Sequence, residues 1–78
     1  MSKILYNKLG DRVKNKIKIN RTIKNLTQKE LAEKVGVSRQ TINYIENNRY
    51  IPSVLLALKI SKVLEKSIEE LFQLEEGE

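Results

Sequence analysis

Seventy-eight residues, 40% of them hydrophobic and 5% aromatic, suffice for one small core, which excludes two independently folded domains. Neither cysteine nor histidine occurs, which removes a disulfide framework, a thiolate zinc site and the commonest general base, and leaves no visible enzyme site and no expected cofactor or metal. The net charge of +5 is uneven, with 14 Lys/Arg against 4 Asp/Glu in residues 1–64 but 1 against 6 in residues 65–78; a body this basic suits a polyanion such as nucleic acid, the plainer alternative being a solvated lysine-rich surface.

The opening MSKILYNKLGD lacks the unbroken apolar run of a secretory signal, and nowhere do about 18 apolar residues run together as a membrane span requires. The expectation is a soluble, cytoplasmic chain with no membrane partner. Residues 1–11, with Ile4, Leu5, Tyr6 and Leu9 ahead of Gly10, hold too little apolar surface to fold alone and read as an N-terminal arm or a strand borrowed by a neighbour. From Arg12 the chain is strongly basic, and Val13 and Ile17, with Asn20 and Arg21 in the same register, recur at helical spacing. This predicts a first helix from about Lys16 to Lys24, closed by Asn25, a residue that tolerates a left-handed cap.

Thr27 followed by Glu30 is a capping box and starts a second helix at Gln28, which Gly36 ends. Leu31, Ala32 and Val35 form its inner stripe while Lys29, Glu33 and Lys34 face out. Val37 then reads as a buried plug and Ser38 as the next N-cap. In the third helix, from Ser38 to Asn47, Ile42 and Ile45 lie on one side and Gln40, Asn43, Tyr44 and Asn47 on the other, with Arg39 near the entrance. That outer face is polar but hardly charged. A merely solvated face would favour Lys and Glu, whereas two asparagines and a tyrosine cost helix propensity, so the composition points to a job other than solvation.

Pro52 is expected to open a fourth helix as a first-turn proline, running to about Leu64 with Leu56, Ala57, Ile60 and Leu64 as its core stripe and Val63 beside it. Ser67 and Glu70 form a second capping box for a short fifth helix from Ile68 to Phe72, in which Ile68, Leu71 and Phe72 close the core. Residues 73–78 form an acidic tail. Without internal repeats or a low-complexity linker, the prediction is an all-α fold, five helices in one domain over residues 12–72.

LTQKELAEKVGVSRQTINYIE, then Pro52 and Ser53, then ALKISKVL and SIEELF resemble the Cro and C1-type helix-turn-helix family, the phage-repressor-like DNA-binding domains, and in particular its short stand-alone regulators. The resemblance extends over Asn15 to Phe72 and implies a five-helix repressor-like domain. It also allows a short two-stranded pairing of the termini, the segment around Val13 with Gln73 and Leu74. By resemblance, Ser38, Arg39, Gln40 and Tyr44 enter the major groove and Gln28, Asn47, Arg49 and Tyr50 hold the DNA backbone; Asn43, from its place on the outer face of the third helix, joins the expected base-reading set, and Thr27, next to Gln28, the expected backbone set. Arg21 and Glu46 match an ion pair that braces the first helix against the third. Glu46 independently projects toward the inner edge of its helix, where a lone carboxylate would be costly. Asn20, where Leu or Ile is usual, and Asn25 and Asn48, where Gly is common, depart from the family pattern.

These expectations combine into a sequence-specific transcriptional regulator, a repressor, acting as a nucleoid-associated homodimer on a roughly palindromic double-stranded operator. The candidate dimer surface is the fifth helix with its tail and the N-terminal arm, with Leu55, Leu58 and Leu74 as exposed apolar candidates. No second domain for a small-molecule effector is visible. The rival class is an antitoxin-like protein-interaction module that uses the same fold to dock another protein.

Overall fold

The computed structural model describes residues 12–75. The elements run β1 (Arg12–Asn15), α1 (Ile17–Ile23), α2 (Gln28–Val35), α3 (Arg39–Glu46), α4 (Val54–Leu64), α5 (Ile68–Leu71) and β2 (Phe72–Glu75). The expected arm of residues 1–11 and the last three residues of the acidic tail lie outside the described residues.

The two strands pair antiparallel, with Val13 opposite Leu74 and Asn15 opposite Phe72, and Lys16 N–H donating to the Leu71 carbonyl at 2.9 Å continues the ladder into the start of α1. Five helices and a small terminal sheet are therefore the architecture. One expectation is met and one changes. The pairing of the segment around Val13 with Gln73 and Leu74 is formed, and the fifth helix stops at Leu71 because Phe72, at φ −126° and ψ 130°, is drawn into pairing with Asn15. Backbone groups that would otherwise lack partners are satisfied across the sheet, and tertiary pairing overrides the local helical register.

From α2 to α5, each helix starts after a threonine or serine N-cap. Thr27 and Glu30 make a reciprocal capping box, the Thr27 hydroxyl accepting from Glu30 N–H at 3.0 Å and Glu30 accepting from Thr27 N–H at 2.9 Å. Ser38 caps α3 by accepting from Thr41 N–H at 3.1 Å, and Ser67 with Glu70 repeats the box on α5. The fourth helix corrects the sequence expectation. Its N-cap is Ser53, whose hydroxyl accepts from Leu56 N–H at 3.1 Å, so Pro52 precedes the cap instead of occupying the first turn. The serine satisfies an orphan donor that proline could not, while the proline holds Ile51 away from helical geometry.

The ends of α1 to α4 share one device. Asn25 (φ 60°), Gly36 (φ 79°), Asn48 (φ 62°) and Glu65 (φ 57°) are all left-handed. Each is followed by a residue whose N–H reaches back into the last turn: Leu26 to the Arg21 carbonyl at 3.0 Å, Val37 to Ala32 at 3.0 Å, Arg49 to Tyr44 at 2.8 Å and Lys66 to Ser61 at 3.2 Å. These are Schellman closures, and asparagine serves at two of them nearly as well as glycine. Asn20, which occupies an apolar position of the family pattern, is half-buried and turns its amide onto the Lys16 carbonyl at 2.9 Å, one turn back in its own helix.

The core is one cluster formed by Ile17, Leu31, Ala32, Val35, Ile42, Ile45, Leu56, Ile60, Leu64 and Leu71, with Leu26, Val37, Val63 and Phe72 packed at its edge. α2 lies against both α3 and α4, so the pair α2–turn–α3 is held from behind by α4. α1 contributes only Ile17 to the buried set. At seven residues it cannot persist by itself, and it depends on polar ties to the rest of the domain.

Candidate nucleic-acid interface

α3 seals Ile42 and Ile45 into the core and presents its other side outward. There Arg39, Gln40, Asn43 and Tyr44 rim a single shallow hollow, with Tyr44 46% exposed and Asn43 half-buried. Hydrogen bonds on this face occupy the flanking groups. Ser38 and Thr41 share a hydroxyl contact of 3.0 Å, and the Asn47 amide turns back to the Asn43 carbonyl at 2.9 Å. Arg39 and Gln40 are left exposed with a donor fork and a donor–acceptor amide respectively. The surface therefore offers directional hydrogen bonding with little fixed charge. Thr41, behind them, is half-buried.

The remaining candidates lie at both ends of the helix pair. Thr27 is exposed at the start of α2 with its hydroxyl committed to the cap. Gln28, beside it, is half-buried and donates to Glu46 at 2.9 Å. Arg49 and Tyr50 leave the Schellman turn at the end of α3, both exposed. The Arg21 guanidinium meets the Glu46 carboxylate through both oxygens, Nε at 2.6 Å and Nη2 at 3.2 Å, and its Nη1 holds the Leu26 carbonyl at 2.8 Å. Only 11% of the Arg21 side chain and 3% of the Glu46 side chain remain accessible. The bidentate geometry with a third donor from Gln28 is what such a desolvated carboxylate requires, and it locks α1, the start of α2 and the end of α3 to one another.

Among the described residues, no group of three potential metal-ligating side chains occurs, and no helix is long and apolar enough to cross a membrane. The family described as helix-turn-helix matches residues 17–71. The chain belongs to the Cro/C1-type helix-turn-helix family. Members of that family are DNA-binding transcriptional regulators, not enzymes. The chain is 52% identical over 66 residues to the HTH-type transcriptional regulator MJ0272 of Methanocaldococcus jannaschii, covering 85% of this chain and 100% of that one. It is 48% identical to the HTH-type transcriptional regulator YgzD of Bacillus subtilis, covering 82% of this chain and 97% of the relative. Among solved structures it resembles the restriction-modification controller protein C.AhdI from Aeromonas hydrophila, with TM-score 0.65, 28% identity, and 69% and 82% of the two chains covered. The transcriptional regulator VanUg shares the fold at TM-score 0.74 over 96% and 99% of the two chains, with 24% identity.

One residue of this helix-turn-helix domain escaped the sequence reading. Asn15 donates to the Ile45 carbonyl at 2.7 Å and to Asn48 Oδ1 at 2.9 Å, and accepts from Ile17 N–H at 3.0 Å. Nothing in periodicity marks it. Its partners lie 30 and 33 residues away in the chain, and the only local signal is an asparagine just ahead of the predicted helix, a position that favours a side-chain turn.

Proposed function

We propose that this helix-turn-helix transcriptional regulator is a sequence-specific repressor that acts as a nucleoid-associated homodimer on a roughly palindromic operator. The observation that carries this is the outer face of α3, where Arg39, Gln40, Asn43 and Tyr44 converge on one hollow while the opposite side of the helix is sealed into the core. Arg39 has the fork that guanine accepts bidentately, Gln40 the amide that matches an adenine edge, and the Tyr44 ring and Thr41 methyl suit a thymine methyl or sugar. Ser38 stands at the entrance of the groove. Thr27, Gln28, Asn47, Arg49 and Tyr50 hold the phosphate backbone and fix the register. Gln28 serves both ends of that arrangement, since its amide also carries a bond to Glu46.

A single subunit reaches only a half-site, so two copies place their α3 helices in successive major grooves about 34 to 36 Å apart. The second copy docks on the apolar row formed by Ile51, Val54, Leu55 and Leu58, which are 51–73% exposed and follow the Arg49–Tyr50 loop directly in the chain. Pairing there joins the two DNA-contacting loops at the centre of the complex. Leu74 on β2 is a further exposed apolar side chain, at 75%. Occupancy of the operator excludes polymerase. The HTH-type regulators and the controller protein to which the chain is similar support the assignment.

Selection of binding sites from random double-stranded DNA tests this. The expected product is a palindrome with half-sites one helical turn apart, and Gln40→Ala should blur the motif at one or two positions of each half-site, each good bidentate contact being worth about 1 to 3 kcal/mol of discrimination. Enrichment of no motif, together with a stable one-to-one complex with another protein, would favour the antitoxin-like class instead.

A further inference from the structure

We propose that Asn15 is a positioning residue for the DNA-backbone contacts made by the loop at Arg49 and Tyr50, the inference resting on the backbone role proposed above for that loop. Its carboxamide is fully used, with both donor hydrogens directed at the end of α3 and its oxygen at the start of α1. One hydrogen bond goes to the Ile45 carbonyl, 2.7 Å away, within the turn where Asn48 N–H also returns to Ile45 at 3.0 Å. The other goes to the side chain of Asn48, 2.9 Å away, the residue whose left-handed φ of 62° reverses the chain between α3 and Arg49. The oxygen meanwhile takes Ile17 N–H at 3.0 Å.

The consequence is geometric. The direction in which Arg49 leaves α3 is set by the torsions of Asn48, and Asn48 is clamped from the side by a residue of β1, paired opposite Phe72 in the terminal sheet. Without the clamp, the Schellman bonds of Asn48 and Arg49 still close the helix, but the loop samples more orientations, and the cost of ordering its cation against a fixed phosphate is large enough to forfeit that contact. The base-reading face of α3 is not touched by Asn15, so affinity and base preference separate. Loss of Asn15 should weaken DNA of any sequence without changing which sequence is preferred.

The decisive variant is Asn15→Ser, which is neutral, retains a hydroxyl able to accept Ile17 N–H, and is too short to reach Ile45 and Asn48 together. In titrations of the full chain against mixed-sequence double-stranded DNA, N15S should lower affinity about tenfold and flatten the plot of log K against log salt by about one phosphate per subunit. In an R49A background the same change should have no further effect. Asn48→Gly, which accepts the left-handed turn and removes only one of the two clamping bonds, should produce a smaller loss of the same kind with the melting temperature retained, and it carries the test should N15S fold poorly. A purely structural role predicts a lowered melting temperature with the salt slope of the folded fraction intact, and an equal loss with and without Arg49; that pattern overturns the positioning role. Wild-type affinity in both N15S and N48G overturns it as well. Should R49A bind like the wild type, the fault lies with the backbone role of Arg49, and should the wild-type chain bind no duplex at all, it lies with the functional assignment itself.

Discussion

Glu46 keeps 3% of its side chain accessible, a burial that an isolated carboxylate does not survive without losing its charge. It is tolerated because Arg21 and Gln28 supply three donors at 2.6, 3.2 and 2.9 Å. Removing one partner is costlier than removing both, since the survivor is left desolvated. Glu46→Ala should therefore destabilise by roughly 3 kcal/mol, and the pair Arg21→Ala with Glu46→Ala by clearly less than the sum of the two singles, as read from urea melts in a double-mutant cycle. Additive losses would leave the bridge a geometric feature without energetic weight. Half of this site was legible in the sequence. The inward projection of Glu46 follows from its place on a helical wheel, whereas the identity of its partner required the family resemblance. The long-range bonds of Asn15 and the left-handed Glu65 were not legible, because the former act across the fold and the latter occupies a position for which glutamate has no local preference.

At the level of elements, caps and stripes carried most of the information. Thr27, Ser38 and Ser67 each begin the helix they were expected to begin, and Gly36 ends the helix it was expected to end. The strands were harder, since Arg12–Asn15 has one apolar residue in four and no alternation to mark a pleat. α5 depends most on its cap, having only four residues. The Glu70 carboxyl is held below the usual carboxylate range, first by accepting Ser67 N–H and then by the Ser67 hydroxyl, and the Glu65 carboxyl is held low by the Lys24 ammonium 2.5 Å away. A carboxyl whose folded-state pKa is depressed contributes stability above its unfolded value of about 4.3, and that contribution disappears as pH falls through the folded value. Glu70→Gln keeps an oxygen for the cap but cannot titrate. Between about pH 5 and pH 3 the melting temperature of the wild type should fall more steeply than that of E70Q; parallel curves would remove Glu70 from the acid response.

For the molecule as a whole, the segregated charge bears on function. The surplus of basic residues lies in residues 1–64 and the acidic excess in residues 65–78, so the segment that carries α1 to α4 is drawn to a polyanion while the C-terminal end is repelled by it. The α3 face itself is nearly uncharged, so under the proposed function sequence discrimination would come from directional hydrogen bonds and affinity from the surrounding cations. These two contributions respond differently to salt. Base-edge hydrogen bonds are insensitive to it, whereas each neutralised phosphate releases condensed counterions and steepens the fall of log K with log salt. With about four phosphates neutralised per subunit, a dimer should lose roughly 10³ to 10⁵ in affinity between 50 and 200 mM salt. The discrimination between the selected palindrome and a scrambled duplex should fall far less over the same range, because most of the electrostatic contribution is common to both. Fluorescence anisotropy with the two duplexes across a salt series measures both quantities at once. A near-flat response for the palindrome would mean that the basic surface does not meet the backbone, and would turn the α3 face toward a protein partner, whose surface has no condensed counterions to release.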